Sequence, residues 1–455
     1  MIDFFRTHKI FLGVAASWVL VTIYGQGLIY AWLPITILFL KAREYWAELL
    51  FGMLTFLVLS DMDKHITEMF IIKSAKNVFI VMLAGLFILE RKRFWPFSRV
   101  FIIFLPFFVY SFFPIIWSKI PSTSFQKTIS YGLMFLIIPN YVLFNYRLRG
   151  WDFFRDLLHM MAFILLAGLA LELSGIVETD IGGRFRGLFG NPNGMAIYSY
   201  LCILLLTVTI SINREVLTPM QKVFLYVVFF YFLIISGSRS SLASTLIFVL
   251  FHRFFAYSPF LGFVVLIALF GAAELISSNL QTIIIALGMQ EYFRLETLEG
   301  GSGRYFAWEF TWGHIQNYFV FGGGFANDEA IMKYYRLYLE KMGHQGGVHN
   351  SYLSFWLNVG IIGLVIYLRS FFLLFVKASK LVPMSLAVMF SILFSVMYES
   401  WLVGSLNPYT IILLIIMTIV SEEEINNWQE YAEVEGEEGE QEAIEEEPEV
   451  LRLPQ

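Results

Sequence analysis

The stretch Val348-His349-Asn350-Ser351-Tyr352 separates the polar segment 277–349 from an apolar run long enough to cross a bilayer. Gly360 and Gly363 follow at helical spacing. His349 and Asn350 are therefore expected where a loop meets the first turn of a membrane helix. Such a terminus presents free N–H groups that favour anions, and a neutral histidine there can accept a proton. The alternative is an ordinary polar residue at a membrane interface.

The composition is that of an integral membrane protein with many spans. The chain has 455 residues, of which 58% are hydrophobic and only 15% charged, and its mean hydropathy is +0.68. A soluble protein of this length carries far more charge. The single cysteine, Cys202, excludes an intramolecular disulfide and a cysteine-based metal cluster.

Apolar runs of roughly the length of a membrane helix, ~20 residues or fewer in a hairpin, recur along the chain. They lie near 10–24, 26–40, 47–60, 77–89, 97–117, 129–144, 157–177, 194–212, 223–236, 241–251, 260–276, 350–368, 382–402 and 406–420. We expect an all-α polytopic membrane protein with about 12–14 transmembrane helices.

Positive charge in the short loops predicts the orientation of these spans. With a cytoplasmic N-terminus, nearly every short basic cluster falls on the cytoplasmic side, and an even count places the C-terminus there too. The chain then divides into N-terminal transmembrane helices (1–276), a large outer loop with amphipathic helices (277–349), C-terminal transmembrane helices (350–420) and an acidic disordered tail (421–455). That tail holds fourteen of the 36 acidic residues and is expected to be dispensable for catalysis, so that deleting 425–455 leaves turnover intact.

Arginines on the outer side contradict the positive-inside trend and need another reason to be there. They are Arg184, Arg186, Arg239, Arg294, Arg304 and Arg336. Binding an anion is the simplest reason, because guanidinium groups form paired hydrogen bonds with phosphates and carboxylates.

Three short segments carry most of these arginines. In 183–194, Arg184 and Arg186 precede the turn Asn191-Pro192-Asn193, whose backbone amides suit an oxyanion, although a plain turn with interface anchors fits too. In 236–241, Arg239 lies among small residues between two spans, with a phosphate or a carboxylate such as Glu399 or Glu274 as its partner. In 301–308, Arg304 and Trp308 share one helix face, which suits a charged group bearing a sugar ring.

The outer loop has helical patterns of its own, as expected for a cap or lid. Asn327-Asp328-Glu329 is predicted to cap a helix over 330–341, with Ile331, Tyr334, Tyr335 and Tyr338 as its apolar stripe, and Ser302 to cap a second helix over 303–319. Apart from Asp61 and Asp63, which are better explained by an interfacial loop, the outer side has no metal-ligand spacing, so neither a metal nor a cofactor is expected.

The spacing His349-Asn350, nine residues, Gly360, two residues, Gly363 resembles the signature of the O-antigen ligase and O-antigen polymerase superfamily. The Arg186 and Asn191-Pro192-Asn193 turn, the Ser-Arg-Ser segment at Arg239, and Ser302-x-Arg304 with Trp308 follow the family order over roughly 180–370. The resemblance implies a C-type glycosyltransferase-like fold in the bacterial inner membrane, with its active site facing the periplasm.

The resemblance also implies roles for individual residues. His349 would be the base, and Arg239 and Arg304 would hold a diphosphate, with weaker parallels for Arg184, Arg186 and Asn350 and supporting positions for Trp308, Asn191 and Asn193. The implied reaction is metal-independent, inverting transfer of a glycan from an undecaprenyl-diphosphate carrier to an acceptor hydroxyl. Ligation of O-antigen to lipid A–core is favoured; a polymerase, a protein O-oligosaccharyltransferase and, from another class, a polytopic transporter remain open.

Overall fold

The computed structural model describes residues 2–175, 179–258, 304–344 and 346–427, with a few further positions between 260 and 288. Most of the predicted span at 260–276, the loop segment with Arg294 and Ser302, and the acidic tail beyond 427 lie outside the described residues. Within them the chain is helix and loop, with one isolated antiparallel bridge between Asp180 and Phe185. The prediction of an all-α polytopic membrane protein is confirmed.

The described helices are α1 (Ile2–Thr7), α2 (Lys9–Gly25), α3 (Ile29–Ala42), α4 (Trp46–Leu59), α5 (Ile72–Leu89), α6 (Val100–Ser111), α7 (Pro121–Arg149), α8 (Trp151–Ser174), α9 (Pro192–Ile212), α10 (Pro219–Ile235), α11 (Arg239–Tyr257), α12 (Arg304–Ile315), α13 (Asn327–Tyr334), α14 (Arg336–Lys341), α15 (Ser351–Ala378), α16 (Ser385–Tyr398), α17 (Pro408–Ser421) and α18 (Glu423–Asn426).

Seven helical segments of the described residues are long and apolar enough to cross a membrane, and three shorter apolar helices accompany them: α10, α16 and α17. The first segment, Lys9–Ala42, is a hairpin in which α3 packs back against α2. Across it, the Trp18 indole N–H donates to Thr36 Oγ1 at 2.8 Å. The two predicted runs before residue 41 are therefore two helices. The count of 12–14 spans stays a prediction, as do the domain boundaries.

Helices α9 and α17 lie at the centre of the bundle. Every residue of α17 from Pro408 to Val420 is buried, as expected for a helix that is apolar all round. α9 packs on α17, α10 and α11, while α15 packs on α6 and α16. The N-termini of α9, α11 and α15 and the C-termini of α10 and α16 meet at one end of the bundle, which we call the His349 end.

Helix α15 is broken at Gly360, nine residues after its start. Gly360 has φ +68°, and a Cβ built there would lie 2.2 Å from the Val320 carbonyl oxygen. The freed backbone groups bond to the segment 319–324: Ile361 N–H donates to Phe319 O, and Gly324 N–H donates to Asn358 O. Irregular backbone at membrane depth is tolerated where protein satisfies it in this way. The first signature glycine is thus a docking point for the loop.

The second signature glycine, Gly363, lets α6 approach closely, since its Cβ would meet the Tyr110 ring at 2.8 Å.

Two predictions for the loop helices are wrong in detail. The helix predicted over 330–341 begins at Asn327, after Ala326 in the left-handed region, and is interrupted at Tyr335, giving α13 and α14. The interruption changes the helical phase, so Met332 and Leu339 are buried while Tyr334 is 82% exposed. The helix predicted over 303–319 is described from Arg304 to Ile315.

Candidate active site

His349 lies immediately before α15 in a backbone conformation that side chains rarely adopt. Its φ is +51°, and a residue held in this region costs of order 1–3 kcal/mol, which the surrounding contacts must sustain. Asn350 caps the helix, with Oδ1 accepting the Leu353 N–H at 3.1 Å. The Asn350 N–H donates to Ser400 Oγ at 3.0 Å. The predicted position of both residues at the start of a helix is confirmed.

Glu399, the residue that follows α16, joins three of the predicted site residues. Its Oε2 lies 3.3 Å from His349 Nδ1, and its Oε1 accepts from Arg304 at 2.6 Å and from Asn193 Nδ2 at 2.9 Å. The side chain is only 10% exposed. A buried carboxylate is stable where such charged and polar donors satisfy its oxygens.

The predicted turn Asn191-Pro192-Asn193 connects Glu399 to Arg184. Asn191 caps α9 by accepting the Gly194 N–H at 2.8 Å, and Pro192 takes the first helical position, where no N–H is needed. Asn193 Oδ1 accepts from Arg184 at 2.7 Å. Arg184 Nε also donates to the Ser236 carbonyl at 2.8 Å. A continuous polar network therefore runs from the 236–241 segment through Arg184, Asn193 and Glu399 to His349.

Arg186, Arg239 and Trp308 lie at the same end. Arg186 is buried, and its backbone N–H donates to the Thr179 carbonyl. Arg239 is the first residue of α11, after the buried Ser238. Trp308 lies one turn beyond Arg304, with its ring 6.1 Å from Tyr398, the residue before Glu399. All the predicted site residues that the structure describes are thus gathered at the His349 end.

His344 adjoins the candidate base. The two rings are 5.7 Å apart in an edge-to-face arrangement, and His344 Nε2 lies 3.0 Å from the Gly347 carbonyl oxygen. Burial lowers the pKa of His344, so this ring stays uncharged at pH values where an exposed histidine begins to protonate.

Sequence reasoning underestimated Glu399 and overlooked Lys64. Glu399 was named only as one partner for Arg239, yet an acidic residue at the end of an apolar run is a functional signal in itself. Lys64 follows Asp61 and Asp63 in the same loop, and its ammonium group lies against Gly190, where a Cβ would be 2.9 Å away. No local pattern marks Lys64, because it meets the turn only through the tertiary fold.

The described residues form an all-helical polytopic membrane protein in which a histidine, arginines and a buried carboxylate lie together at one end. Residues 224–368 match the family model described as O-Antigen ligase, which supports the O-antigen ligase and polymerase superfamily for this part of the chain. The match includes Arg239, Arg304, Trp308, His349 and Asn350. No curated protein matches the chain.

Proposed function

We propose that this protein transfers a glycan from an undecaprenyl-diphosphate carrier to an acceptor hydroxyl at the periplasmic face of the bacterial inner membrane. The favoured reaction is ligation of O-antigen to lipid A–core. The observation that supports the proposal most strongly is the shared carboxylate of Glu399, which holds His349 and Arg304 in one network.

His349 acts as the general base in this reaction. With Nδ1–H donating to Glu399, Nε2 keeps its lone pair and accepts the proton of the attacking hydroxyl. The acceptor oxygen forms a bond to the anomeric carbon as the C–O bond to the diphosphate breaks, and the electron pair leaves with the diphosphate. The imidazolium that results lies beside the Glu399 carboxylate, which stabilises it.

Cations at the His349 end stabilise the departing diphosphate. Arg239 opens α11 and Arg304 is the first described residue of α12, so their guanidinium groups act together with helix N-terminal turns that also favour negative charge. Arg184 and Arg186 extend the positive region toward the Asn191 turn. The energy comes from the anomeric C–O–P linkage, so neither a nucleotide nor a metal is required. A single displacement inverts the anomeric centre, and we expect transfer to persist in excess chelator.

The test is in vitro transfer by purified protein supplied with an undecaprenyl-diphosphate glycan, with and without lipid A–core. A shifted lipid A–core band that His349→Ala abolishes supports ligation. His252→Ala, which changes a histidine toward the far end of α11, is the control and should retain activity. Ladders on the carrier without lipid A–core would instead assign a polymerase. Folded wild-type protein that makes neither product would refute the proposal and favour a transporter.

A further inference from the structure

A groove runs beneath the loop helices and reaches the segment that precedes His349. It consists of two cavities of about 510 and 230 Å³ that share Glu329, Met332 and Gly347. The larger opens between α13 and α14 beside Arg336, and the smaller continues inward to Ser400 and Gly404. We call the two together the loop groove.

The loop groove lies on the Nε2 side of His349. Gly346 lines the larger cavity, and a Cβ built on Gly346 would lie 2.9 Å from His349 Nε2. The opposite ring nitrogen, Nδ1, faces Glu399. The imidazole therefore has the network with Arg304 and Arg184 on its Nδ1 side, and on its Nε2 side it adjoins Gly346, which lines the larger cavity.

The lining of the loop groove suits a neutral saccharide. Lys127 pairs with Glu329 at 2.5 Å, and Arg336 pairs with Glu340 at 2.7 Å. Paired charges offer donors and acceptors to hydroxyl groups without a net field that would select an ion. The largely buried side chains of Met332 and Leu339 line the larger cavity and contribute apolar atoms that can face the C–H groups of a sugar ring. A lipid chain would be disfavoured by these charges.

We propose that the loop groove binds the acceptor saccharide and delivers its hydroxyl to His349 Nε2 across Gly346. This inference rests on the proposed function, and it assigns the two substrates to opposite faces of one imidazole. The lipid-linked donor occupies the Arg304 and Glu399 side, and the acceptor enters beneath α13 and α14.

Gly347 allows the groove to be blocked without disturbing the protein. It lines both cavities, and a Cβ built on it meets no atom within 4 Å. Gly347→Val should therefore extend into the groove and raise KM for the acceptor at least about tenfold, while KM for the donor stays unchanged. Gly313, in α12, also has open space around its Cβ but does not line the groove. Gly313→Val is the matched control and should leave both constants unchanged.

A binding measurement that needs no turnover completes the test. The only native cysteine, Cys202, is buried, so a maleimide reports on a thiol introduced by Gly347→Cys, with Gly313→Cys as control. The probes are soluble deacylated lipid A–core oligosaccharide and, separately, the free repeat-unit oligosaccharide. We expect one of them to slow labelling of Gly347→Cys severalfold and to leave Gly313→Cys unaffected, and lipid-linked donor to protect neither.

The outcomes separate the groove from the reaction. Transfer by the wild type without protection at Gly347→Cys by either saccharide would overturn the acceptor groove and leave the proposed function standing. Protection without any transfer would support a saccharide groove and refute the transferase. The absence of both would overturn both.

Discussion

At the scale of single residues, the carboxylate of Glu399 is the group that connects the candidate base to the other site residues. It holds His349 through one oxygen and Arg304 with Asn193 through the other. A carboxylate in this position orients the imidazole and offsets the charge that the imidazole gains when it takes a proton. Glu399 is thus a positioning residue in the proposed reaction.

Replacing this carboxylate should slow the chemical step more than it weakens donor binding. Glu399→Gln keeps the size and one acceptor oxygen but removes the negative charge, so we expect kcat to fall about 10²-fold with donor affinity changed much less. Initial rates and binding of a fluorescent lipid-linked donor would measure the two effects. Glu309→Gln, at an exposed position in α12, is the control. A variant with unaltered kcat would contradict the assigned role.

His8, at the opposite end of the molecule, makes stability depend on pH. Its two ring nitrogens lie 2.8 Å from Glu48 and 3.2 Å from Asp156. Burial lowers the pKa of His8, but the hydrogen bonds to the two carboxylates outweigh burial, and the net pKa is raised. Because the folded-state value is above the unfolded one, the stabilisation is complete below about pH 6.5 and disappears as the pH rises through the folded-state pKa.

We therefore expect a higher thermal midpoint of purified protein at about pH 6 than at about pH 8.5, and a smaller difference in His8→Gln. Scanning fluorimetry in a fixed detergent would measure both. An equal pH dependence in wild type and variant would assign the effect to other groups.

At the scale of elements, the segment 319–324 docks onto the membrane helices at the break in α15. Gly360→Ala would place a methyl group 2.2 Å from the Val320 carbonyl oxygen at a φ of +68°. Backbone strain and the clash should together lower the free energy of unfolding by about 3 kcal/mol or more. Gly85→Ala, in α5 where a Cβ meets nothing within 4 Å, should be neutral or stabilising. Denaturant unfolding of both variants in the same detergent makes the comparison, and similar stabilities would refute the docking role of Gly360.

The helices and the site differ in how far the sequence predicts them. Apolar runs predict most of the helices because burial depends on the residues of the run itself, and Asn350 predicts a helix start because a cap acts within one turn. The partners of Glu399 lie 50, 95 and 206 residues away, so no local pattern can reveal them. The break at Gly360 was missed for the same reason: only the docked segment 319–324 makes it favourable.

At the scale of the whole molecule, the start of the acidic tail belongs to the fold. The first residues of the predicted tail are helical: Ser421 ends α17, and Glu423–Asn426 form α18. Glu422 accepts from Ser98 Oγ at 2.6 Å and from the Arg99 N–H at 3.0 Å. Glu424 pairs with Arg147, and Ile425 is fully buried. These contacts clamp residues 422–425 onto the loop before α6 and the end of α7.

Two truncations distinguish the clamp from the rest of the tail. Deleting 428–455 should leave both glycan transfer and the thermal midpoint unchanged, since every contact of Glu422, Glu424 and Ile425 remains. Deleting 422–455 removes the buried Ile425 and the hydrogen bonds of Glu422, and should destabilise the protein by about 2–4 kcal/mol. Deletion of 425–455, which the sequence analysis expects to leave turnover intact, falls between the two. It keeps Glu422 and Glu424 but removes Ile425, so the protein should retain turnover with a lower thermal midpoint. A large loss of turnover in well-folded protein lacking only 428–455 would show instead that the acidic segment takes part in the reaction.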